Sequence, residues 1–145
     1  MDKFLIKGPS KIRGKVSIPG SKNASLPILA ATLLFNEKVI IKNLPRVKDI
    51  DTMISLLKSL GSKITLSKDK KTVKIINPKK MKTFASYSIV KKMRGSFLVL
   101  GPLVAKQKNS KCSLPGGCNL GARPVNYHLE GLKKLGMSFR LKDGY

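Results

Sequence analysis

Apolar residues along this chain recur at two alternating spacings, and the alternation predicts its elements. "NASLPILAATLLF" (residues 23–35) is apolar nearly throughout and predicts a buried helix, with Pro27 tolerable only near the first turn. "KVIIKN" predicts a strand. In "DIDTMISLLKSLG" (49–61), Ile50, Met53, Ile54, Leu57 and Leu60 share one helical face, and Gly61 suits the C-terminal cap. "KITLS" and "TVKII" then pair as a hairpin about the polar "KDKK" turn.

The same grammar returns after Lys82. "YSIVKKMRGSFLVLGPLVA" (87–105) predicts a second apolar helix, "KCSL" a short strand, and "PVNYHLEGLKKLG" a second amphipathic helix. This last stretch matches the earlier one at a constant offset of 75: Ile50 with Val125, Ile54 with Leu129, Leu57 with Leu132, Leu60 with Leu135 and Gly61 with Gly136. Ile64 and Leu66 match Phe139 and Leu141. The pattern therefore predicts an α/β chain holding one βαβαββ-like unit and most of a second. The second breaks off at "LKDGY", a turn poised to begin a strand, so the expected unit is incomplete and leaves an unpaired sheet edge.

Composition narrows the function classes. The 145 residues suffice for one ordinary domain with a core, and no apolar run reaches the roughly 18 residues of a membrane span. The start lacks the apolar centre and cleavage site of a secretory signal, so a cytoplasmic location with no membrane partner is expected. A formal charge of +23 points first to anionic partners, yet 25 of the 30 cations are lysines spread along the chain. Aromatics are few and nucleic-acid motifs absent, so diffuse lysine reads as solvated surface, and small anions become the better candidates. No metal or cofactor site is expected, because two cysteines and the single His128 fall short of a zinc ligand set. Both thiols should be free, with Cys112 of "SKCSL" a small buried hydrophobe.

Three stretches remain as candidate chemistry. "IPGSKNASLP" places Lys22 and Asn23 where free backbone N–H groups at a helix start favour anions, although an ordinary helix start with a solvent lysine explains it equally well. "VKKMRGS" sets Arg94 in an apolar helix, where it either meets a carboxylate or phosphate or snorkels to solvent. "SLPGGCNLGARPVNYH" (113–128) holds Cys118 between glycines that free the backbone and Arg123, which can pair bidentately with an anion.

Together with "LPRVKDIDTM" and "MRGSFLVLGPLVA", these stretches closely resemble the UDP-N-acetylglucosamine 1-carboxyvinyltransferases, enolpyruvyl transferases that open peptidoglycan synthesis. That resemblance implies two similar domains, each of three βαβαββ units packed as an inside-out α/β barrel, with substrates in the cleft between them. Residues 1–21 would then be strands of the second domain, and residues 22–145 about two of the first domain's three units, as an N-terminal fragment. The resemblance implies two small-molecule substrates, phosphoenolpyruvate and UDP-N-acetylglucosamine, no cofactor, no specific nucleic acid and a monomeric full-length form.

It also implies roles. Cys118 matches the cysteine that delivers a proton to phosphoenolpyruvate and can add to it covalently. Lys22, Asn23 and Arg123 match positions contacting phosphoenolpyruvate. Arg94, with Arg123, Pro124, Val125, Asn126 and Tyr127, matches the nucleotide-sugar segment. Asn126 and Tyr127 depart from the family's usual aspartate and leucine, which removes a charge beside the uridine while keeping a hydrogen-bond acceptor. No acidic residue here matches the family's general base, so the chain alone is expected to be inactive or nearly so. The alternatives are the relative that acts on shikimate 3-phosphate, which lacks the Pro-Gly-Gly-Cys stretch, a basic nucleic-acid-binding module, and a non-catalytic remnant.

Overall fold

The computed structural model describes residues 3–9, 11–115 and 124–145. Residues 3–9 and 11–19 form no helix or strand and lie exposed, with Phe4, Leu5, Ile6, Ile12, Val16 and Ile18 each more than 80% accessible. Regular structure starts with α1 (Lys22–Ala31), which tightens into a 3-10 turn at Thr32–Leu34. Pro27 sits inside α1, in its second turn, without ending the helix. Its missing N–H falls opposite Asn23, an exposed residue whose carbonyl water can satisfy.

Three strands come next, with α2 (Lys48–Ser59) between the first two: β1 (Val39–Ile41), β2 (Lys63–Leu66) and β3 (Val73–Ile76). The sheet order is β1-β3-β2, so the last strand lies in the middle, antiparallel to both neighbours. Ile75 pairs with Val39 on one side and Ile64 on the other. Val73 and Ile75 are fully buried while Lys74 and Ile76 face outward, the period-two signature of a sheet covered on one side. Against that side lies the α2 stripe expected from sequence: Ile50, Met53, Ile54, Leu57 and Leu60 are all buried, together with Leu56. Asp49 and Asp51 in the first turn and Lys58 in the last complement the helix dipole.

Asn77 ties this sheet to α1. Its side-chain NH2 donates to the carbonyls of Thr32 (2.6 Å) and Phe35 (3.0 Å), and its Oδ1 accepts from Ser62 (2.6 Å). The orphan carbonyls at the helix end gain a second donor from Lys106, whose Nζ reaches Leu33 O (2.9 Å) and Phe35 O (3.1 Å).

The single long helix expected over 87–105 is broken in three: α3 (Tyr87–Val90), a 3-10 segment Arg94–Val99, and α4 (Leu100–Gln107). Met93 is extended at the break (φ −155°, ψ 120°). Packing explains it: a Cβ at Gly95 would stand 3.0 Å from Leu26 Cδ1, so the tighter segment lets glycine backbone lie directly on α1. The remaining elements are a two-stranded parallel sheet, β4 (Phe84–Ala85) with β5 (Lys111–Cys112), and α5 (Asn126–Lys134). β4 has no counterpart among the expected elements. The strand expected at 139–141 is not formed, and Phe139 and Leu141 stand 46% and 57% exposed.

Backbone detail nonetheless recurs at the 75-residue offset. Ser62 N donates to Leu57 O and Met137 N to Leu132 O, each at 3.0 Å, and Gly61 and Gly136 take φ of +107° and +93°. Among the described residues no helix is long and apolar enough to cross a membrane.

Candidate functional site

Three helix starts converge on one cleft. Lys22 and Asn23 are the first residues of α1, Asp49 is the second residue of α2, and Val125 caps α5; all four line a cleft of about 530 Å³. Lys92, Arg94 and His128 line it as well. Free N–H groups at three helix starts, with two lysines and an arginine against one carboxylate, make this a strongly anion-favouring concavity.

Local sequence dictates the placement of Lys22. Gly20 precedes α1 because its backbone passes against the turn at Asn43; a Cβ there would overlap the Asn43 carbonyl oxygen. Ser21 then caps the helix, its Oγ accepting from Ala24 N at 3.3 Å while its carbonyl accepts from Ser25 Oγ at 2.7 Å. From the first turn, Lys22 Nζ reaches Asp49 Oδ2 at 2.9 Å, the one salt bridge among the described residues. Both partners are partly exposed, so the bridge contributes little stability and serves chiefly to aim the ammonium.

Arg94 is half-buried, and its guanidinium donates on the exposed side to the Pro124 carbonyl at 3.1 Å, a neutral acceptor, with no carboxylate bridged to it among the described residues. The same bond fixes the chain entering α5. His128 packs edge-on against Phe97, with ring centroids 5.9 Å apart, and closes one wall.

Of the sequence-predicted site residues, Lys22, Asn23, Arg94 and Val125 meet at this cleft, and Pro124 is bonded to Arg94. Asn126 and Tyr127 open α5 but do not line the cleft, and Tyr127 is 78% exposed. Cys118 and Arg123 lie outside the described residues. Sequence reasoning missed Asp49 and His128. Asp49 stands within the quoted "KDIDTM" match, whereas His128 carried no local signal beyond being the chain's only histidine. Cys112 behaves as expected: it is buried in β5, and burial pushes its thiol up to about 12. No cluster of three potential metal ligands occurs among the described residues.

The family model of EPSP synthase (3-phosphoshikimate 1-carboxyvinyltransferase) matches residues 6–145. The whole chain is 58% identical to 34% of the UDP-N-acetylglucosamine 1-carboxyvinyltransferase of Pelagibacter ubique. It is 47% identical over 144 residues to the protein of the same name from Pseudothermotoga lettingae, again 34% of that relative. Among solved structures, the enolpyruvyl transferase NikO from Streptomyces tendae superposes on 94% of this chain with a TM-score of 0.70 at 20% identity, over 30% of its own length. EPSP synthase from Acinetobacter baumannii covers 85% of this chain and 28% of its own with a TM-score of 0.56, also at 20% identity. The chain thus spans about a third of the length of the curated relatives it matches, and it belongs to the EPSP synthase family of enolpyruvyl (carboxyvinyl) transferases.

Proposed function

We propose that this chain carries part of the active site of a UDP-N-acetylglucosamine 1-carboxyvinyltransferase, which moves the enolpyruvyl group of phosphoenolpyruvate to the sugar 3′-hydroxyl and releases phosphate, at the entry to peptidoglycan synthesis. The observation that carries the reading is the meeting of Lys22, Asn23 and Arg94 with three helix starts in one cleft. Residues 1–21 would belong to a second domain and residues 22–145 to part of a first, in the inside-out barrel of repeated units.

The chemistry needs C3 of the enol ether to gain a proton so that C2 becomes electrophilic. The sugar oxygen then bonds to C2 and loses its proton to a base, and the resulting tetrahedral centre expels phosphate as its C3 methyl gives up a proton, which restores the enol double bond. Lys22 and Asn23 hold the phosphate and carboxylate, where fixed charge is worth more than in water. Arg94, with the segment Pro124–Tyr127, holds the diphosphate and uridine. Cys118 supplies the proton, and Arg123 beside it in sequence favours the thiolate it becomes. The base lies outside these residues, so the chain alone releases no phosphate at an enzyme-like rate. The 58% and 47% identities to relatives of the UDP-N-acetylglucosamine branch favour it over the shikimate 3-phosphate branch.

Epoxide labelling tests the reading. Fosfomycin should alkylate Cys118 and not Cys112, faster with UDP-N-acetylglucosamine present, as read by peptide mass spectrometry. Equal labelling of the two cysteines, indifferent to the nucleotide sugar, contradicts it.

A further inference from the structure

The β1-β3-β2 sheet has two faces of opposite character. One joins the hydrophobic core through Val73 and Ile75. The other turns outward, and the strand register gives its pattern. Lys74 on β3 stands between Ile40 on β1 and Thr65 on β2, and Ile76 stands beside Lys63. Lys38 and Lys42 lie two residues to either side of Ile40, so strand alternation brings them to the same face. All of these residues are exposed, Ile40 and Ile76 to 45% and 44%.

Four lysines thus interleave with two isoleucines, and no carboxylate is bridged to any of the four among the described residues. The outward positions of the three strands hold no Asp or Glu. An apolar element of any protein laid over this face would strip water from four unpaired ammonium groups, at a cost two isoleucines cannot offset. An anionic surface compensates those charges.

The side chains also select among anionic surfaces. Nucleic-acid binding draws on arginine forks and on aromatic rings that stack with bases, and this face has neither. Lysine is a point charge on a flexible stem, which suits headgroups that move in a fluid plane. Aliphatic side chains set between lysines can reach past those headgroups to the acyl boundary.

We propose that the outward face of this sheet docks on an anionic lipid surface. Lys38, Lys42, Lys63 and Lys74 meet the headgroup phosphates, and Ile40 and Ile76 seat between them. An attraction of about fivefold per lysine makes the contact peripheral, reversible and weaker at high salt. The expectation of no membrane partner considers spans and leaders, and a peripheral contact needs neither. The contact is also independent of what the cleft binds.

The test is flotation of the 145-residue chain with vesicles of phosphatidylcholine alone, or of phosphatidylcholine and phosphatidylglycerol in equal parts. The chain should float with the anionic vesicles only. The variant K63Q/K74Q should weaken that binding roughly twentyfold, two lysines at about fivefold each. The variant K133Q/K134Q removes the same charge from exposed positions on α5 and should weaken it by less than about threefold. Because the chain has no tryptophan, Ile40→Trp supplies a single reporter, whose emission should shift to the blue on anionic vesicles. Circular dichroism should be unchanged in all three variants. Equal losses in the two lysine pairs would assign the binding to net charge and overturn the proposal. An Ile40→Trp emission unmoved by vesicles would overturn it too, as would tighter binding of an oligonucleotide through Lys63 and Lys74.

Discussion

Two helices with matching stripes meet different fates in this molecule. On α2, Leu57 and Leu60 are fully buried; on α5, their counterparts Leu132 and Leu135 are half-buried and 84% exposed. The helix-end hydrogen bonds are the same, so the difference does not lie in the helices. It lies in what covers them. α1, the 3-10 segment and the β2 edge of the three-stranded sheet pack against α2, whereas α5 meets the 3-10 segment at His128 and has only the two-residue β5 and an unpaired stretch in place of such a sheet. An amphipathic stripe thus specifies a helix and the face it would bury, but the sheet opposite decides whether burial is achieved.

That comparison can be broken by mutation. The largest effect is expected at Leu57→Ala, which should cost about 2–5 kcal/mol in chemical denaturation, while Leu135→Ala should stay within about 0.5 kcal/mol. Comparable losses at both positions would mean that α5 is as well covered as α2. Asn77→Ala should come next, at roughly 2–3 kcal/mol, because it strips a donor from Thr32 O and Phe35 O and strands the buried Ser62 hydroxyl.

Cys112 gives a pH test within the second region. Its folded thiol titrates near 12, above the ordinary 9.0, because burial disfavours the thiolate. The folded state therefore keeps its proton where the unfolded chain loses it. The resulting stability is whole below pH 9 and declines as pH rises toward 12. Relative to Cys112→Ala, the wild-type chain should lose up to about 1.4 kcal/mol per pH unit across that window, read from denaturation midpoints. A smaller effect is expected at Asp49→Asn: removal of a partly exposed ion pair should shift stability by less than about 1 kcal/mol. It should nevertheless weaken anion binding at the cleft by releasing Lys22 from its fixed aim.

Sequence legibility divides along the same line. The helix α2 and the hairpin β2–β3 are readable because period and burial agree there. The break at Met93–Gly95 is not, since it depends on the close approach of Gly95 to Leu26, a contact between segments far apart in sequence. Pro27 departs from its expected place in the first turn for a related reason: an exposed carbonyl opposite it removes the cost that propensity assigns. At the site, Lys22, Asn23 and Arg94 are legible one by one. Their convergence, and the part of Asp49 in it, arise from three helix starts meeting in space. The two-residue β4 is too short to leave a pattern.

The central claim is that this cleft, with Arg94 at its edge, holds an anionic nucleotide sugar. The most direct measurement is calorimetric titration of UDP-N-acetylglucosamine into the chain and into its Arg94→Ala and Arg94→Lys variants. Binding is predicted to weaken by about tenfold or more in Arg94→Ala, the scale of one charged hydrogen bond, with partial recovery in Arg94→Lys. Equal affinity for all three proteins would contradict it.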